Sequence, residues 1–284
     1  MPMRFRCLVL VALMGCAPED VVGRTEHFDL ASEKVGDTFR IFVRTPLNYD
    51  DDSSLNFPLV VQLDANLPFL DEYDATMQQA VALERATATQ PVIIVGIGYP
   101  NAAEAEKKRL RDFSLSMESE PFRAKWAAQV PVTGAPQFYE FIRDELMPEL
   151  RRRYRLDGPA RTALFGHSMG GLFSLYAVTR HNEAPLFSAY VAASPSLFWD
   201  DGQLVTRFEA LPELTSTAQL LVSHGALEGP EMAGFVQHFS AQLEARARTQ
   251  LLFYPVRFET GHLGTTTPSF REGLRVMFPA AVTP

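Results

Sequence analysis

The chain has 284 residues, is 46% hydrophobic and 21% charged, and carries a formal net charge of −8. That balance supports one large core and excludes a disordered chain. It also argues against a nucleic-acid partner and against membrane attachment by charge alone, since either needs a basic face.

At the N-terminus, Arg4 and Arg6 precede an unbroken apolar run at 7–14 (CLVLVALM), followed by Gly15 and Cys16. This is the pattern of an export signal. The run is too short to span a bilayer, which takes about 20 apolar residues. Leu13-Met14-Gly15-Cys16 resembles a bacterial lipobox, which implies a signal peptide at 1–15, lipidation of Cys16 and a tether at 16–23. Ordinary cleavage after Ala17 would put Pro18 directly behind the cut. The only cysteines are Cys7 and Cys16, so the mature chain has no internal disulfide. Several acyl chains on Cys16 would anchor the protein stably to a membrane. Ala17 after the cysteine fits sorting to the bacterial outer membrane, with the protein facing the periplasm.

No linker and no internal repeat interrupts residues 24–284, so one domain is expected there. Residues 38–44 (TFRIFVR) alternate apolar and polar as a half-buried strand does, and 24–30 is a plausible hairpin partner. The aliphatic runs at 58–63, 92–97, 162–165, 189–193, 220–223 and 251–258 have the character of buried parallel strands. Helices are expected at 72–87, 136–154, 169–180, 231–247 and 268–277. In the second of these, Phe138, Phe141, Ile142, Leu146 and Leu150 share one face behind an N-terminal proline. An antiparallel start followed by β-α alternation predicts a three-layer α/β sandwich with a mostly parallel central sheet. The polar stretch at 101–135 breaks that rhythm. Loops longer than about 15 residues are uncommon in compact domains and often form lids or binding inserts, so it is a candidate pocket wall.

The chemistry centres on Gly166-His167-Ser168-Met169-Gly170-Gly171. A bare Gly-x-Ser-x-Gly match is weak, but this one follows an aliphatic strand and opens an apolar helix. That context is a strand-to-helix elbow exposing a serine hydroxyl at the top of an α/β-hydrolase sheet. Ser168 is the expected nucleophile, and the helix N-terminus adds partial positive charge where an oxyanion would form. A serine hydroxyl needs a base, which follows it in this fold's order of Ser, acid, His. Of the later histidines, His181 ends a helix, His238 lies inside one, and His224 precedes the position of the acid. His262 sits in a turn just beyond the last strand, where the mechanism requires it. The acid belongs on the loop after the penultimate strand, at 224–231. Glu228 is the first choice there, with Glu231 behind it, and a Ser-His pair without an acid is an alternative. The oxyanion hole should combine the N–H of Met169 with one from Ala65 or Asn66. The histidines lack ligand spacing and the mature cysteine is terminal, so no metal or other cofactor is expected.

The chain resembles the esterase-D-like esterases of the α/β-hydrolase fold, and within them the bacterial periplasmic siderophore esterases that open salmochelin and enterobactin trilactones. The matching residues are Leu63-Asp64, the run 95–100 (VGIGYP), Arg109-Leu110-Arg111-Asp112-Phe113, the helix at 138–150, the elbow, the run 192–199 (AASPSLFW) and Gly261-His262. Ala65 departs from the family's glycine, and Phe198 replaces a tryptophan. The resemblance implies a serine carboxylic-ester hydrolase acting through an acyl-enzyme, on siderophore trilactones or on simpler acyl and aryl esters. It also implies a substrate-binding role for Arg109 and Arg111, which cluster with Lys107 and Lys108, and for Trp199. Cations there would hold an anionic substrate; the competing interpretation is a set of structural ion pairs. The same fold also hosts acyltransferases of the mycolyltransferase kind and non-catalytic binding proteins.

Overall fold

The computed structural model describes residues 24–65, 70–183, 185–246 and 248–280. The expected signal peptide and tether at 1–23, Cys16 among them, and Asn66 lie outside the described residues. Eight strands form one sheet: β1 (Thr25–Ser32), β2 (Asp37–Arg44), β3 (Leu59–Gln62), β4 (Ile93–Gly98), β5 (Thr162–His167), β6 (Ala189–Ala193), β7 (Ala218–Gly225) and β8 (Leu251–Phe258). Their order is β1-β2-β4-β3-β5-β6-β7-β8. β1 pairs antiparallel with β2 and β2 antiparallel with β4; every other neighbour is parallel.

Successive residues of the inner strands point to opposite faces, and both faces are buried. Val60, Ile94, Ala163 and Val191 pack under α1 (Leu70–Arg85) and α9 (Thr266–Met277). Val61, Val95, Leu164 and Ala192 face the larger layer built from the remaining helices. These are α2 (Ala102–Phe113), α3 (Glu120–Trp126), α4 (Ala135–Phe141), α5 (Met147–Arg153), α6 (Met169–Thr179), α7 (Gln203–Ala210) and α8 (Pro230–Ala245). The three-layer sandwich expected from the sequence is therefore present.

Between α4 and α5 the helix continues through a π-helical stretch, Ile142–Leu146. Pro148 explains it. Proline has no N–H and its ring crowds the carbonyl four residues back, so the ladder shifts by one residue and the Met147 N–H reaches Ile142 O. At the end of α1, the N–H groups of Thr87 and Ala88 bond to the carbonyls of Glu84 and Leu83, a Schellman closure that puts Thr87 at φ 49°.

The stretch at 101–135 is not a loop. It contains α2, capped by the Asn101 side chain, and α3, capped by Ser119. The apolar period of α2 is masked because the face it buries carries Arg109 and Asp112 beside Ala105 and Phe113. α7 is a further helix outside the expected set.

Candidate active site

β5 ends at His167 and α6 begins at Met169, so Ser168 is the single residue between strand and helix, with φ 57° and ψ −117°. Such a conformation costs a non-glycine residue about 1–3 kcal/mol and persists only where the surroundings enforce it. Those surroundings are tight: a Cβ on Gly166 would fall 2.1 Å from Gly170 O. The Ser168 N–H donates to Ala193 O (2.9 Å), and its carbonyl accepts from the Ser196 N–H (3.1 Å). Ser168 Oγ is 3.2 Å from Ser196 Oγ. Met169 opens α6, where the first N–H groups have no carbonyl partner within the helix.

His262 follows β8, and Glu228 follows β7, so the two neighbouring loops meet at the C-terminal edge of the sheet. The meeting is close: a Cβ on Gly225 would fall 2.3 Å from Thr260 O. The Glu228 carboxylate is buried. Its Oε1 accepts from Ser194 Oγ and from the Gly225 N–H (2.8 Å). His262 Nδ1 stands 3.7 Å from that same Oε1, beyond hydrogen-bond range. Glu228 Oε2 and His262 Nδ1 are both buried without a hydrogen-bond partner. Burial raises the Glu228 pKa, but the partners outweigh it, His262 first and then Ser194 and Gly225, and hold the carboxyl below its ordinary value. Glu231, the second-choice acid, is exposed in the first turn of α8.

His262 is held from its backbone. His167 Nε2 lies 3.0 Å from the His262 carbonyl, and Thr265 Oγ1 lies 2.8 Å from it. Thr265 Oγ1 is also 2.8 Å from Ser194 Oγ, which ties this support to the one under Glu228. The His167 and His262 rings sit 4.6 Å apart, centroid to centroid, tilted by 42°. Burial, and then the neighbouring His262, depress the His167 pKa to about 4. It is therefore neutral at physiological pH, and its Nε2 carries the proton given to the carbonyl.

His167, Ser194, Ser196 and Thr265 were not singled out from the sequence. A signal existed for two of them, since Ser194 and Ser196 fall in the Ser-Pro-Ser run.

Four expected site residues serve other ends. The Ala65 N–H donates to Ile97 O (3.1 Å), so this amide is committed to the sheet and does not supply the second oxyanion donor. Arg109 is buried and makes a bidentate pair with Asp64, at 2.7 and 2.9 Å. Arg111 bonds both oxygens of the buried Asp112 and one of Asp37. Arg109 is turned to its carboxylate, whereas Arg111, although paired, also lines a surface cavity with Lys107, Lys108 and Val132. Trp199 is 2% exposed, donates its Nε1–H to Leu115 O (3.1 Å) and meets Phe122 edge-on at 5.0 Å. Each has a partner far away in sequence, Arg111 in addition to the adjacent Asp112.

A mostly parallel sheet covered on both faces, with a serine elbow after β5, defines the α/β-hydrolase class. Within it the chain belongs to one family: residues 32–248 match the family model described as "Putative esterase". It is a serine ester hydrolase. Over 237 residues it is 30% identical to the ferri-bacillibactin esterase BesA of Bacillus subtilis, covering 79% of this chain and 75% of that protein. Over 247 residues it is 31% identical to the siderophore triacetylfusarinine C esterase of Aspergillus fumigatus, covering 83% and 79%. Among solved structures, the BES protein from Bacillus cereus superposes with a TM-score of 0.74 at 26% identity, over 98% of this chain and 99% of that one. An IroE-like serine hydrolase from Shewanella oneidensis shares the fold, with a TM-score of 0.75 at 24% identity over 90% and 80%.

Proposed function

We propose that Ser168 is the nucleophile, His262 the general base and Glu228 the acid that orients it, and that the substrates are siderophore esters. The roles rest on one observation above all: a buried carboxylate with a spare oxygen faces the unpartnered Nδ1 of a histidine whose ring lies against the residue preceding Ser168. In the first half-reaction the Ser168 proton passes to His262 Nε2 while Oγ bonds to the ester carbon. The Met169 N–H stabilises the resulting oxyanion. His262 then returns the proton to the leaving alkoxide, giving an alcohol and an acyl-enzyme. In the second half, water loses its proton to His262 and attacks the acyl carbon. The acid departs and Ser168 regains its proton.

The substrate class is supported by the two esterase relatives, both named for siderophores, which align with most of this chain. Competitive hydrolysis of ferric and iron-free siderophore trilactones against simple p-nitrophenyl esters tests it. The trilactones should be favoured in kcat/KM by at least tenfold, and equal turnover of all esters would refute the proposal. Full p-nitrophenyl-ester turnover by Ser168→Ala would refute the nucleophile.

The N-terminal pattern supports export and lipid anchoring at Cys16, on the periplasmic side of a bacterial outer membrane. Labelling of the expressed protein by radiolabelled palmitate should vanish in Cys16→Ser. Persistent labelling would exclude Cys16 as the site.

A further inference from the structure

Ser196 lies on the segment after β6 and is 2% exposed. Its backbone N–H donates to Ser168 O (3.1 Å), and its carbonyl accepts from the Trp199 N–H (3.1 Å). Its hydroxyl has one hydrogen-bond partner among the described residues, Ser168 Oγ at 3.2 Å. The direction of that bond follows from satisfiability. If Ser168 donated, the Ser196 proton would be left buried without an acceptor, the costlier arrangement. If Ser196 donates, both hydroxyls are served, because Ser168 is only half-buried and its own proton stays available.

We infer that Ser196 is a further catalytic residue of this esterase, a fixed hydroxyl donor to the oxygen of the attacking serine. The inference rests on Ser168 being the nucleophile. With Ser196 donating to one lone pair, Ser168 keeps its own proton free to pass to His262 as Oγ attacks the ester carbon. Negative charge grows on Oγ during that transfer, and the Ser196 O–H···O bond strengthens with it, since hydrogen bonds to charged acceptors are roughly twice as strong as neutral ones. The stabilisation is larger in the transition state than in the resting enzyme, so it raises kcat rather than lowering KM. Ser196 remains neutral throughout and transfers no proton. The donor needs no reorganisation, because the backbone bond between the two serines sets their separation before substrate arrives.

The test is a side-chain series at position 196, read by steady-state kinetics on p-nitrophenyl esters and by the second-order rate of fluorophosphonate labelling. Ser196→Ala removes the donor, and Ser196→Cys keeps the volume with a much weaker donor. Both should lose about tenfold in kcat and in labelling rate with KM little changed, the factor expected from the net worth of one ordinary hydrogen bond. Ser196→Thr, which keeps the hydroxyl, should recover most of the rate. If Ser196→Cys matches the wild type, the residue acts through packing and the inference fails; Ser196→Cys also serves if Ser196→Ala does not fold. Unchanged kcat and labelling in a folded Ser196→Ala protein would overturn it as well. Ser168→Ala separates the two levels. If it retains turnover and labelling, the nucleophile assignment itself has failed; if it is inert while Ser196→Ala is normal, only the role of Ser196 has.

Discussion

Two clusters of charged side chains share the C-terminal edge of the sheet, and they are bonded very differently. On the side of β3 and β4, Arg109 grips Asp64 through two short bonds, Arg111 spans Asp112 and Asp37, and Tyr99 donates to Asp112 (3.0 Å). On the side of β7 and β8, Glu228 and His262 face each other at 3.7 Å with one oxygen and one nitrogen unpartnered. The first cluster is saturated with ion pairs, although Arg111 also stands in the wall of a cavity beside α2. The second is incomplete at rest, and in the proposed mechanism it can close as His262 takes up a proton at Nε2 and its Nδ1–H turns to the carboxylate. The presence of charged residues in the sequence does not separate these two cases; hydrogen-bond completeness does.

That contrast can be broken by substitutions on each side. The largest effect on turnover is expected from Glu228→Gln, which keeps shape and removes charge. Its kcat should fall by about 10²-fold, less than for a tightly bonded triad acid, since this pair is not hydrogen-bonded at rest. Thermal unfolding should change little. A variant retaining wild-type kcat would assign the orienting role elsewhere. Arg109→Leu should do the opposite. It strips Asp64 of its bidentate partner at a buried site and should cost about 3–5 kcal/mol of stability, seen as a lower urea midpoint. Full stability with lost turnover would return Arg109 to the substrate pocket.

His167→Gln probes the border between the clusters. The folded protein holds the His167 pKa near 4, below its ordinary 6.5, so the folded state excludes a proton that the unfolded chain binds. The stability from this group is complete above pH 6.5 and is lost as pH falls toward 4. Between pH 7 and pH 5 the wild type should therefore lose roughly 2 kcal/mol more than His167→Gln in urea titrations. His181, also depressed by burial, and Glu228 contribute equally to both proteins. Parallel pH profiles would place the His167 proton affinity near its ordinary value. The smallest effect is expected far from either cluster, at the end of α1. Thr87→Gly should relieve a β-branched residue held at φ 49° and stabilise by about 1 kcal/mol, with kcat unchanged. A lower melting temperature would mean that the Thr87 side chain contributes more than its backbone costs.

Much of the fold was legible because buried parallel strands must be aliphatic; β6 and β8 coincide with their runs, and α6 opens where the elbow motif places it. The helices of 101–135 were not, because α2 turns Arg109 and Asp112 inward, and inward charges look like surface in a one-dimensional pattern. Capping by Asn101 and Ser119 was the available clue. At the site, Ser168 was visible as a local motif, and His262 and Glu228 as positions fixed by chain order and topology. Asp64 and Asp37 as partners of Arg109 and Arg111 were not visible, since they are distant in sequence and become neighbours only when β2, β3 and α2 assemble; only Asp112 stands beside Arg111 in the chain. The same holds for Ser196 and His167, whose roles are set by contacts across the sheet edge rather than by composition.

The segment after β6 fastens the insert to the body of the molecule through main-chain groups. Trp199 Nε1 reaches Leu115 O, and the Asp200 carboxylate accepts the N–H groups of Glu118 (2.8 Å) and Ser119 (2.9 Å). Because these three contacts read backbone atoms, they are largely indifferent to which side chains the insert carries. Side chains bind the insert as well, Ser119 Oγ on Asp201 and Phe122 and Trp126 against Trp199, so the seat tolerates exchange at the insert's outward positions and not at these inward ones.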